Sequence, residues 1–186
     1  METSHELPRQ TYRFTVDEVL RMVAAGLLAD RRVELLDGEL VCVTAKGPLH
    51  VFVAQALHLR LVQALPAGWH ARKEDPVIAT PTSLPEPDVS VVRGDARDYR
   101  TALPTAAACV LAVEVSVSTL EDRRKLSIYA ASGIPEVWIL DVEGRHLERY
   151  TQPRNGRYDT RQVLPDTEMI DAPVCGQRWT VASLLD

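Results

Sequence analysis

The stretch from Cys109 to Val142 constrains this chain more than any other. It opens with "CVLAVEVSV", a run apolar enough to be a strand with water on neither side. It continues with "STLEDRRKLSIYAASG" and closes with "EVWILDV", a second buried strand. The middle segment carries helix start and stop signals: Ser118 at the N-cap, Glu121 three residues on to complete a capping box, and Gly133 to end it. Strand, helix and strand in that order predict a right-handed parallel crossover from Val110 to Val142.

The remaining segments fit around that unit. "FTVDEVLRMVAAG" reads as a short helix with Thr15 as N-cap, Glu18 as its capping-box partner and Gly26 as a stop. "RVELLDGELVCVTA" reads as a hairpin turning at Asp37-Gly38. "PLHVFVAQALHLRLVQAL" is the longest helical candidate, with Pro48 in its first turn and Leu57, Leu61 and Leu65 four residues apart. "WHARKEDPVIATP" suggests a strand that Pro76 keeps at an edge, and "LPEPDVSVV" places another strand directly after two prolines. "RGDARDYRTALPTAAA" reads as a surface loop, and "HLERYTQPRNGRYDTRQVL" as a hairpin around Asn155-Gly156. A short strand near residues 168–170 and the apolar "WTVASLL" close the chain. This order predicts an α/β (α+β) fold: a mixed central β-sheet flanked by helices, with an additional C-terminal β-hairpin. Residues 1–11 read as a loose tail and 12–186 as one domain without repeats.

Composition narrows the function. The chain has 186 residues and a formal net charge of -5, which argues against a protein that coats nucleic acid through a basic surface. A local encounter with phosphate through a metal ion stays open. Cys42, Cys109 and Cys175 are odd in number and far apart, so neither a zinc site nor a disulfide framework follows. With a polar N-terminus and no apolar run near the length of a membrane span, a cytoplasmic protein is expected.

Glu114 interrupts the first buried strand. Burying an ionised carboxylate costs several kcal/mol unless something compensates it. A buried basic partner, protonation, or a bound cation would each do so. Alternate strand residues share a face, which groups Val110, Ala112, Glu114 and Ser116. In "PEPDVSVV", Asp88 opens a β-branched strand, a position also explained by turn chemistry. Glu86 lies two residues away, and the residues alone do not tell the two acids apart. Glu34, in "RRVELLDGEL", faces either solvent or the other acids. On the helix after Glu114, Lys125, Tyr129 and Ser132 fall on one side, with Asp122 one turn before Lys125. That lysine belongs either to a solvated charged face or to a site beside Glu114.

Carboxylates from adjacent strands and a nearby lysine match what phosphodiester hydrolysis requires. Hard oxygen ligands hold Mg²⁺, with Mn²⁺ as a substitute, and the metal acidifies an attacking water. A lysine orients the nucleophile or stabilises charge.

Taken together, "VELLDGEL", "PLH", "EPDVSVV", "LAVEVSVSTLEDRRKLSIYAASGIPEVWILD" and "WTVASLL" resemble the Uma family of putative restriction endonucleases, a branch of the PD-(D/E)XK nuclease superfamily. The resemblance runs from about Phe14 to Leu185 and implies a restriction-endonuclease-like fold. Carried over residue by residue, it makes Pro87-Asp88 the first half of the signature, Glu114 the second acid and Glu34 an extra N-terminal acid. His50 falls where the family often shows a histidine at the start of a helix, and a substrate contact is implied for it beside capping or packing. One position departs: the superfamily lysine, two residues after Glu114, is Ser116 here, and Lys125 on the following helix is the replacement on offer.

Two readings follow. In the first, a Mg²⁺-dependent endonuclease acts on nucleic acid, DNA first. Asp88, Glu114 and Glu34 hold the metal, and Lys125 stabilises charge. Tyr129 hydrogen-bonds Lys125 or phosphate, or simply packs. Arg123 and Arg124, with Arg93, Arg97 and Arg100 in the loop, are candidate phosphate contacts or solubilising charges. In the second reading the fold survives as a non-catalytic module that binds nucleic acid or protein. The resemblance also implies a homodimer, with "EVWILDV" and the C-terminal hairpin as surfaces on offer.

Overall fold

The computed structural model describes residues 11–117 and 122–186. Nearly all of the expected N-terminal tail lies outside them, as do Ser118 and Glu121 of the predicted capping box and the side chain of Asp122.

The chain begins with helix α1 (Val16–Ala24) and the hairpin β1 (Val33–Leu36) and β2 (Glu39–Cys42). Helix α2 (Pro48–Ala64) leads to strands β3 (Trp69–Lys73), β4 (Val89–Arg93) and β5 (Cys109–Ser116). Helix α3 (Asp122–Ser132) and strand β6 (Glu136–Asp141) complete the crossover unit. The hairpin β7 (His146–Arg154) and β8 (Arg157–Pro165) follows, then β9 (Met169–Asp171), β10 (Arg178–Thr180) and α4 (Ala182–Leu185).

Local signals act as their chemistry dictates. Thr15 and Glu18 form a reciprocal capping box at the start of α1. Pro48 starts α2, where its missing N–H would be unpaired in any case. Both hairpin turns place two successive residues at positive φ, Asp37 (50°) with Gly38 (81°) and Asn155 (50°) with Gly156 (73°), the twist-matched geometry that these pairs favour. The predicted surface loop contains two short 3₁₀ turns, Ala96–Tyr99 and Ala106–Ala108.

Six strands form one mixed sheet in the order β3-β4-β5-β6-β7-β8. Only β5 and β6 run parallel, joined through α3. Strand β3 sits at one edge and ends at Lys73, before Pro76, so the expected strand is shorter than "WHARKEDPVIATP" suggests; the C-terminal hairpin extends the sheet at the other edge. On one face α2 and α4 pack with Leu57, Leu61, Val113, Trp138 and Leu184. On the other, α3 packs with Ala112, Tyr129, Ile134, Val137 and Ile139. The β1–β2 hairpin and α1 form a third cluster around Leu35 and Leu84, bridged by Leu84 N–H to Leu35 C=O at 2.8 Å.

Two expectations need correction. A bulge opposite Val91 and Val92 skips Val110 in the ladder, and Val110 packs with the α2 face instead of sharing the side of Ala112 and Glu114. Strand β6 is paired on both edges and buried, so "EVWILDV" offers no surface for a second copy. Among the described residues, no helix is long and apolar enough to cross a membrane.

Candidate active site

A cavity of about 400 Å³ opens where the β1–β2 hairpin, the start of α2, the ends of β4 and β5, and the first turn of α3 meet. Glu34, Asp88, Glu114 and Lys125 all line it.

The fold delivers each acid separately. Asp88 ends the Pro-rich approach to β4 and is 3% exposed. Its Oδ2 accepts the Val115 backbone N–H at 2.7 Å and lies 3.0 Å from His50 Nε2. Its Oδ1 accepts from Lys46 Nζ at 2.5 Å. Burial pushes this carboxyl up, but the contacts with His50, Lys46 and the Val115 amide outweigh it and hold Asp88 down at about 2. Asp88 is therefore an ionised acid fixed from three sides.

Glu114 is buried on the α3 face of β5. Its Oε1 accepts from the Tyr129 hydroxyl at 2.5 Å and its Oε2 from Lys125 Nζ at 3.3 Å. Burial, helped by Asp88 and Glu34, pushes Glu114 up to about 8 against the pull of Lys125 and Tyr129. Burial thus holds this carboxyl toward its protonated form.

Glu34 reaches the cleft because Arg124 ties the hairpin to α3, donating to Leu36 C=O at 3.0 Å and Glu39 Oε2 at 2.8 Å. Its Oε1 lies 3.0 Å from Lys125 Nζ. Its Oε2 is buried and has no hydrogen-bond partner among the described residues.

Lys125 joins these groups. Its Nζ contacts Glu34, Glu114 and the Glu86 carbonyl oxygen, the last at 2.9 Å. Burial opposes the ammonium, but Glu114 and Glu34 hold it above the ordinary lysine range. Ser116 is buried two residues after Glu114, and the amine arrives from α3 as the departure from the superfamily pattern implies. Glu86 is now told apart from Asp88: it gives Lys125 its backbone carbonyl, while Asp88 points into the cleft.

Other candidates stand elsewhere. The Tyr129 hydroxyl bonds Glu114, not Lys125, and the residue is 0% exposed, so it is a support for the acid and has no face toward a substrate. His50 holds Asp88, and its Nδ1 is buried without a partner among the described residues. Arg123 points to Glu148 at 3.7 Å and does not line the cleft, whereas its neighbour Arg124 does. Arg93 lies over the Trp69 ring at 4.8 Å, and Arg97 and Arg100 sit on or beside the exposed 3₁₀ turn; none of the three lines the cleft. Ser132 bonds the Tyr129 carbonyl.

Sequence reasoning missed Lys46 and Glu74. Lys46 Nζ bridges Asp88 and Glu74, the latter at 2.9 Å. The available signal was a single lysine in "TAKGPLH", the link between a hairpin and a helix that already carries a candidate histidine.

The donor set suits a hard divalent cation: carboxylate oxygens from three segments of the chain, one of them, Glu34 Oε2, buried and unpartnered among the described residues. Among the described residues, no three His, Cys, Asp or Glu side chains already form a metal cage. Lysine ammoniums stand against Asp88, Glu34 and Glu114.

Comparisons with known proteins agree with this architecture. No protein of curated description matches the chain. A solved structure described as a putative nuclease belonging to DUF820, from Anabaena variabilis, superposes with a TM-score of 0.74 at 14% identity, covering 92% of this chain and 97% of that one. The two share the fold. The Uma2 family model, described as "Putative restriction endonuclease", matches residues 16–183. The chain therefore belongs to the Uma2 family.

Proposed function

We propose that this protein is a Mg²⁺-dependent endonuclease that hydrolyses phosphodiester bonds of nucleic acid, DNA first, with Mn²⁺ as an alternative ion. Asp88, Glu114 and Glu34 would hold the metal. The observation that carries the reading is Lys125: one ammonium, supplied by a helix, stands 3.0 Å from Glu34 and 3.3 Å from Glu114 in the same cleft as Asp88. A bound divalent cation supplies Lewis acidity, lowering the pKa of an attacking water and offsetting charge on the phosphoryl oxygens.

The chain's own residues do the rest. Asp88 stays ionised across the working pH range, oriented by His50 and the Val115 amide. Glu114, which burial holds toward its protonated form, would have to release that proton to solvent to serve as a ligand, and Tyr129 fixes its orientation. Lys125 stabilises charge developing at the scissile phosphate. Arg124, at the cleft wall, is the arginine best placed to meet a flanking phosphate. A homodimer, with one site for each strand, is the assembly this reading expects. A cytoplasmic location keeps the three free cysteines reduced.

The test is cleavage of plasmid and single-stranded DNA and of RNA with Mg²⁺ or Mn²⁺, run beside Glu114→Gln and Lys125→Met. Metal-dependent cleavage by the wild type, lost in both variants, supports the proposal. Equal cleavage by Glu114→Gln overturns it. The pairing of the acids with lysine favours a second reading, a non-catalytic module that keeps the fold. Nucleic-acid binding without cleavage under any metal would establish that one instead.

A further inference from the structure

The nuclease reading gives Lys125 a task but leaves the cleft's second ammonium without one. Lys46 lies in the link 43–47 between β2 and α2, which has no regular structure. Its side chain is 17% exposed and lines the same cavity as Glu34, Glu114 and Lys125. Burial works against the Lys46 charge, yet Asp88 and Glu74 hold it above the ordinary lysine range.

The two oxygens of Asp88 have unlike partners. Oδ2 is taken by the Val115 amide of β5 and by His50 of α2, both built into regular elements. Oδ1 has, among the described residues, only Lys46, on a flexible four-carbon stem. The acid is thus held by one oxygen, and the other faces an exchangeable positive charge. Glu74 provides a second hold for that charge: its Oε1 lies 2.9 Å from Lys46 Nζ, and its Oε2 lies 3.2 Å from Lys73 Nζ.

We propose that Lys46 is a resident counter-ion of Asp88 that competes with the divalent cation for Oδ1, and so sets how tightly the cleft takes that ion. Glu74 retains the ammonium at the cleft wall when Asp88 is released. The inference rests on the metal-dependent reading above and adds a positioning residue to it. An ammonium in contact with Oδ1 takes one of its lone pairs and repels a divalent cation approaching the same oxygen, so removing the first strengthens binding of the second.

Titration calorimetry of Mg²⁺ and Mn²⁺ into the intact chain tests this without any turnover. Wild type is compared with Lys46→Met and Lys73→Met. Lys73 also pairs with Glu74 and, among the described residues, makes no ion pair or side-chain hydrogen bond with Asp88, so its variant reports the loss of one nearby positive charge. Lys46→Met is expected to bind the ions roughly tenfold more tightly, the scale of one charge-assisted hydrogen bond. Lys73→Met is expected to change affinity by less than about twofold. Lys46→Gln repeats the measurement should the methionine variant not fold. Metal binding by wild type with equal or weaker binding by the Lys46 variants overturns the inference and leaves the metal-dependent reading standing. A gain in Lys73→Met equal to that in Lys46→Met overturns it in the same way. Absence of binding in wild type and Lys46 variants alike overturns both.

Discussion

The Tyr129 hydroxyl donates to Glu114 Oε1 at 2.5 Å, and the two side chains are 0% and 3% exposed. A carboxyl on a central strand is thereby bound to a phenol from the covering helix. Tyr129→Phe leaves that oxygen without its donor in a dry site. A loss of about 1–3 kcal/mol in urea denaturation at neutral pH is expected. The proton on Glu114 should also become harder to remove, moving the pH midpoint of Mg²⁺ binding upward. Unchanged stability and an unchanged midpoint would show the hydroxyl to be idle.

Glu114 gives stability an unusual pH dependence. Its carboxyl titrates near 4.5 when exposed and at about 8 in the folded chain. Between those values the folded state keeps a proton that the unfolded state has released, so rising pH favours unfolding. The group's contribution is fully present below 4.5 and lost as pH climbs through about 8. Asp88 has the opposite sign: lowered from 3.8 to about 2, it stabilises above 3.8 and loses that contribution as pH falls through about 2. Glu114→Gln removes the first dependence alone. Urea titrations at about pH 5.5, 7 and 8.5 should show wild type falling relative to Glu114→Gln; a constant difference would refute the assignment.

Lys125→Met withdraws the ammonium from two buried acids at once. Breaking a buried pair from one side costs about 3–5 kcal/mol, and the charge opposite the phosphate goes with it. A lower melting temperature is expected, together with a fall of at least about 100-fold in metal-dependent cleavage. Single-turnover cleavage well below the melting temperature separates the two effects.

Leu57, 1% exposed in the core beneath α2, tests the scaffold behind the site. Leu57→Ala should cost about 2–5 kcal/mol in urea denaturation through the transfer and cavity contributions. A cost below about 1 kcal/mol would mean that α2, and with it His50, is not anchored by this face.

Much of the framework was legible because local chemistry and global pattern agree. Asp37-Gly38 and Asn155-Gly156 mark tight hairpins by their tolerance of positive φ, and the apolar strands flanking α3 leave little choice but a crossover. The Glu114–Lys125 meeting was legible because a helix starting just after a strand must return over that strand's end. Val110 was misplaced because a bulge leaves no mark in an unbroken apolar run. Lys46 was missed because its partners, Asp88 and Glu74, come from strand ends far along the chain, and no spacing rule connects a link residue to them. Arg123 and Arg124 are equivalent as letters; the direction of the helix decides that the second reaches the cleft.

The bond from the Val115 amide to Asp88 Oδ2 has a mechanical corollary. The last ladder pair between β4 and β5 on this side is Val89 with Val113, so the aspartate side chain continues the seam one step beyond where the backbone leaves off. Asp88 is a clasp between two strands as well as an acid, and Glu114 is the residue immediately before the clasped amide. Replacing Asp88 with alanine would therefore loosen the mooring of the second acid along with removing the first, whereas asparagine keeps an oxygen for the seam and gives up the charge and the acceptor that faces Lys46.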